Sequence, residues 1–124
     1  MPQPGAYAVV GHTIGPGDTA RALGSGDLEV LATPRLVAWF EQATVEAMAG
    51  QLDPTSTSVG TRIDVTHERA SAVGAGVTVR ADLGHVDGRL LRFDVAAHDD
   101  DGAVLGHGRV TRVVVDRERF LARL

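Results

Sequence analysis

The sequence predicts an α+β fold in one domain spanning residues 1–124. Three observations carry that expectation: a single long segment of helical periodicity, period-two alternation through most of the chain from Gly60 onward, and tight-turn residues between the alternating runs. A chain of 124 residues, 44% of them hydrophobic, is long enough for one core and too short for two domains of ordinary size.

Residues Ala6 to Ile14 form the first expected strand, which Gly15-Pro16-Gly17-Asp18 breaks by ordinary turn chemistry. The glycine-rich Leu23-Gly24-Ser25-Gly26-Asp27 follows no strong strand and carries no lysine, so it is expected to be a connection rather than a phosphate cradle. Thr33-Pro34 has the form of a helix cap followed by proline at the first helical position, and the periodic segment from about Pro34 to Ala49 stops at Gly50. From Gly60 onward the period changes to two. Ile63, Val65 and His67 share one face of a half-buried strand, with Arg62, Asp64, Thr66 and Glu68 on the other. Val77, Val79, Ala81 and Leu83 point inward along the next strand, Asp87-Gly88 signals a two-residue hairpin, and Leu91, Phe93, Val95 and Ala97 return. Asp99-Asp100-Asp101-Gly102 makes another turn, a last strand runs from about Val104 to Val115, and Asp116-Arg117-Glu118-Arg119 begins a short surface helix. Gly106 and Gly108 imply a bend or a close backbone approach in that strand, because no helix comes after them as a dinucleotide fingerprint requires. The sum is a curved antiparallel sheet packed against one helix.

Composition removes several function classes. The 12 basic residues are all arginine and are scattered against 16 acidic ones, for a formal net charge of -4, which argues against a nucleic-acid partner. Without lysine there is no side-chain amine for Schiff-base chemistry. Without cysteine there is no disulfide, thiolate nucleophile or Cys-ligated zinc. The opening Met1-Pro2-Gln3-Pro4-Gly5 lacks the charge and apolar run of a signal peptide, and no apolar stretch is long enough to span a bilayer; the expected address is the cytoplasm, with no membrane partner. His12, His67, His85, His98 and His107 show no metal-ligand spacing, so no metal is assigned.

Two residues break the hydrophobic pattern in the same direction. On a wheel of 100° per residue from Arg35, Glu41 falls near 240°, beside Val37, Val45 and Met48 and opposite Gln42 and Glu46. A glutamate on a buried side demands a partner, because desolvating its charge is costly. His67 likewise shares its face with Ile63 and Val65. Alone, each fits a structural role at the core's rim; together, an imidazole and a carboxylate turned toward one interior have the makings of a tuned acid–base pair. Thr33 is an ordinary helix cap by composition, but a helix N-terminus also offers free N–H groups to a carbonyl developing negative charge. Eight residues of straight helix separate Thr33 from Glu41 by about 12 Å, so either the segment at Thr33 bends back or two protomers contribute to the site.

Leu31-Ala32-Thr33-Pro34, Glu41 eight residues after Thr33, and Ser58-Val59-Gly60-Thr61 leading through Val65-Thr66-His67 resemble the hot-dog thioesterases related to fluoroacetyl-CoA thioesterase. The resemblance continues through Val86-Asp87-Gly88-Arg89, Ala97-His98-Asp99 and Arg112. It implies a hot-dog fold, in which one long helix is wrapped by a curved antiparallel sheet of about five strands. It also implies a homodimer and hydrolysis of a small or medium acyl-CoA without metal or organic cofactor. Thr33, Glu41 and His67 match the family's catalytic residues, and Gly60 the position where backbone approaches the acyl thioester. Thr33 is then either nucleophile or the group that positions the carbonyl. The aromatic gate of the fluoroacetyl-selective enzymes has no counterpart among Gly26, Asp27 and Leu28, and Gly106-His107-Gly108-Arg109-Val110 stands where the family commonly has Gly-x-Gly-Thr-His. A noncatalytic acyl-CoA binding module and an enoyl-thioester hydratase or dehydratase are the alternatives on the same scaffold.

Overall fold

A computed structural model describes residues 2–124. In chain order it contains β1 (Tyr7–Thr13), a 3-10 turn at Pro16–Asp18, α1 (Ala20–Leu23), α2 (Thr33–Ala47), β2 (Ser56–His67), β3 (Gly76–Asp87), β4 (Leu90–Asp99), β5 (Val104–Asp116) and α3 (Arg117–Ala122). The five strands form one antiparallel sheet in the order β1-β3-β4-β5-β2. The strand after the long helix therefore crosses to the far edge, beside β5, rather than pairing with β3.

α2 lies on one face of this sheet. Its Leu36, Phe40, Ala43 and Ala47 are buried against inward residues of β3 and β4, the same alternating sets that the sequence predicts. Phe40 and Phe93 are fully enclosed. Truncating either to alanine is expected to cost about 3–5 kcal/mol. Trp39 is also buried, because the apolar stripe is wider than the wheel suggests, and its ring stacks on His12 of β1 at 4.1 Å. No helix of the described residues is long and apolar enough to cross a membrane.

Four local details depart from the expectations. Thr33 is not the cap of α2. Ala32 holds the extended cap position, Thr33 is the first helical residue, and no side chain caps the helix. At the other end α2 stops at Ala47, and Gly50 takes the left-handed φ of 76° that lets the chain turn away. The β3–β4 turn consists of Gly88 and Arg89, since Asp87 pairs with Leu90 in the ladder. β2, expected to be half-buried, is an edge strand whose Ile63 is 38% exposed.

Candidate active site

Thr33 and His67 are each the terminal residue of an element, and the segments flanking them are tied together. Val30 bridges Ala72, and the Leu31 N–H donates to the Ser71 carbonyl at 2.9 Å, so the chain entering α2 runs alongside the chain leaving β2. Arg35 pairs with Asp18 at 2.9 Å and anchors the first turn of α2 to the preceding 3-10 turn. On the other side, a Cβ at Gly106 would stand 2.8 Å from the Thr66 carbonyl and 3.0 Å from Leu36, so only glycine lets β5 lie this close beneath His67. The glycines expected to mark a close approach do so.

The outcome is a 2.8 Å hydrogen bond between Thr33 Oγ1 and His67 Nδ1. The hydroxyl donates when the imidazole proton sits on Nε2. That Nε2 is buried and has no partner among the described residues. A buried polar nitrogen without a partner is costly. A hollow of about 250 Å³ opens beside the pair, walled by Ala20, Ser25, Val30, Leu31 and Ala70. A larger depression of about 470 Å³ lies over Thr111 between Arg62 and Arg92, away from both residues.

Glu41 is elsewhere. Its Oε2 accepts from Arg112 Nη1 at 3.1 Å, and Arg112 is in turn held by the Ser58 hydroxyl at 2.8 Å and the Ser58 carbonyl at 3.0 Å. A Cβ at Gly60 would overlap the Glu41 carboxylate. Glycine at that position of β2 is what makes room for the charged group. The Glu41 side chain is 38% exposed whereas that of Arg112 is 7%, so the carboxylate faces outward from a buried cationic anchor. The structure thus joins Thr33 to His67 and Glu41 to Gly60, and does not join the two pairs to each other.

Arg112 and Ser58 enter as a supporting pair; both belong to the segments that carry the family resemblance, but no role was expected of either. The signal was present for Arg112, which occupies an inward position of β5 between Val110 and Val114, the same kind of pattern break that flags His67. Ser58 carries no such mark.

The family model described as fluoroacetyl-CoA-specific thioesterase matches residues 14–118. A fluoroacetyl-CoA thioesterase of Streptantibioticus cattleyicolor is 44% identical over 96 residues, which cover 77% of this chain and 68% of that protein. The solved structure of the fluoroacetyl-CoA thioesterase FlK superposes with a TM-score of 0.91 at 36% identity, covering 99% of this chain and 95% of the other. A mutant of FlK in complex with acetyl-CoA gives 0.92 at the same identity, covering 98% and 96%. A Thermus thermophilus thioesterase superfamily member, 24% identical and covering 98% of this chain and 89% of its own, shares the fold with a TM-score of 0.90. The architecture is the hot-dog fold, and the chain belongs to the fluoroacetyl-CoA-specific thioesterase family of acyl-CoA thioester hydrolases.

Proposed function

We propose that this protein hydrolyses a small or medium acyl-CoA thioester at a site made from Thr33 and His67 of one protomer and Glu41 of the partner subunit. The observation that carries the proposal is the Thr33–His67 hydrogen bond with its unsatisfied Nε2. An oxygen and an imidazole nitrogen at 2.8 Å have the geometry of an attacking group and its base. The thioester carbonyl lies over Thr33, its acyl group enters the adjoining hollow, and the backbone at Gly60 of the partner subunit, which accompanies Glu41 of the partner subunit, flanks the thioester. His67 takes the proton from the attacking oxygen as that oxygen bonds to the carbonyl carbon, the C–S bond breaks, and the imidazolium returns the proton to the departing thiolate; where Thr33 is the attacking group, a water activated by His67 then hydrolyses the acyl ester and frees Thr33. Glu41 orients the imidazole through Nε2.

Two features support assembly across a homodimer. About 12 Å of helix separates Thr33 from Glu41. β2 is a 12-residue strand bonded only to β5, with Ile63 and Val65 on the face that carries His67. An open edge of that length is a template for a second copy. Residues 1–124 act in this scheme as one hot-dog domain in the cytoplasm, with acyl-CoA as the small-molecule partner.

Thiol release from a panel of acyl-CoAs tests the activity, and Thr33→Ala separates its two possible contributions. If Thr33 is the attacking oxygen, the variant loses turnover by about 10²-fold or more and no acyl-enzyme accumulates on rapid quenching. If the hydroxyl only positions water, Thr33→Ser and Thr33→Ala differ by a modest factor. Binding of acyl-CoA without thiol release from any member of the panel contradicts the proposal.

A further inference from the structure

The hollow beside Thr33 and His67 has walls of uneven chemistry. Ala20, Val30, Leu31 and Ala70 supply short aliphatic surface, while the exposed Glu68 and Arg69 bring opposite charges to its lining. The two charges are not equally free. Glu68 Oε1 is held by His107 Nε2 at 2.5 Å. Among the described residues, Arg69 has no carboxylate partner; the arginines in ion pairs are Arg35, Arg80, Arg109 and Arg112. Its backbone is nevertheless fixed, because the N–H groups of Glu68 and Arg69 both donate to the Leu105 carbonyl, at 2.8 and 3.1 Å. Among the described residues Arg69 is therefore a cation without a carboxylate partner on a held stretch of chain, lining a hollow that adjoins the reacting pair.

We infer that this hollow takes an acyl group carrying its own carboxylate, the monothioester of a short dicarboxylic acid, with Arg69 receiving the far carboxylate. The inference rests on the thioesterase reading and specifies its substrate class. The hollow is open to solvent and, at about 250 Å³, leaves room for more than a two-carbon acyl group. An acyl chain of about four or five carbons spans such a hollow with methylenes against the aliphatic wall and a terminal carboxylate at the rim. The guanidinium fork is the side chain best matched to a carboxylate, and it holds its charge at any working pH. In the reaction the oxygen of water bonds to the thioester carbon, the C–S bond breaks and the thiolate takes a proton. The far carboxylate is unchanged, and the products are the free dicarboxylic acid and CoA thiol.

The test compares kcat/KM of the full chain for succinyl-CoA and glutaryl-CoA with that for the neutral butyryl-CoA and valeryl-CoA, in wild type, Arg69→Gln and Arg69→Glu. The wild-type ratio of charged to neutral substrate is expected to exceed one and to fall about tenfold or more in Arg69→Gln, as loss of a charge-assisted hydrogen bond requires, and further in Arg69→Glu. A wild-type preference for the neutral chains overturns the inference. So does a ratio that stays constant while all four substrates weaken together, which assigns Arg69 to the phosphates of CoA. Absence of thiol release from all four while acetyl-CoA is hydrolysed overturns the inference alone; absence of release from acetyl-CoA as well sinks the thioesterase reading itself.

Discussion

The two ends of the site are built on different electrostatics. At the start of α2, Thr33 and His67 meet through one hydrogen bond and leave a buried nitrogen without a partner. Two turns further along, Glu41 rests on Arg112, which Ser58 holds through both its hydroxyl and its carbonyl. The first end lacks an acceptor; the second presents a carboxylate outward from a satisfied anchor. Each has what the other needs, and the rise of α2 keeps them apart within one protomer. The difference is what the proposed shared site explains: under it, the protomer is only half of the chemical unit.

The largest effect expected from breaking this complementarity is on turnover. His67→Ala and Glu41→Gln should each reduce kcat by about 10²- to 10⁴-fold while leaving the far-UV spectrum and thermal transition near wild type. Equal loss from changes at two separated ends is the sign that they serve one reaction. A subtler break is Gly60→Ala. Its methyl group overlaps the Glu41 carboxylate and displaces it, and a misplacement of about 1 Å should lower kcat by up to about 10²-fold with little change in stability. Steady-state kinetics beside a urea titration separates the two quantities.

The ends should also differ in what they contribute to folding. Arg112→Met leaves Ser58 and the Glu41 carboxylate without their donor and is expected to cost about 1.5–3 kcal/mol, read from the urea midpoint. Removing the Thr33 hydroxyl, which sits at an exposed hydrogen bond, should cost under about 1 kcal/mol.

The smallest effect concerns His12, a second imidazole turned inward, whose role is packing against Trp39. Burial lowers its pKa below 6.5, and the nearby charge of Asp18 only partly opposes this. The unfolded chain therefore binds more protons than the folded one, so this contribution is fully present above pH 6.5 and is lost as pH falls through the folded value. His12→Phe keeps the stacking and should flatten that part of the stability–pH curve, measured by urea midpoints, without moving the activity profile of the site.

Much of the fold was legible because β3 and β4 are buried on one face only, so Val77 to Leu83 and Leu91 to Ala97 alternate cleanly. β2 was harder to place. Alternation says which face is inward, not whether a strand lies at an edge, and the crossover that sets β2 beside β5 leaves no local trace. Thr33 misled as a cap because a hydroxyl before proline has the same sequence signature whether it caps a helix or begins one. His67 and Glu41 were visible as pattern breaks. Their pairings were not, for Thr33 lies 34 residues from His67 and Arg112 lies 71 from Glu41, separations that only the sheet order closes.

Whether one site draws on two protomers is tested most directly by mixing two inactive variants. His67→Ala and Glu41→Gln proteins are denatured together, refolded and assayed against either variant refolded alone. If the site spans a twofold interface, half of randomly assorted dimers are mixed and each has one intact site, so about one quarter of wild-type turnover should return. A mixture that stays as inactive as its components, with mixed dimers verified by native mass spectrometry, would contradict the shared site and place Thr33, His67 and Glu41 at work within a single chain.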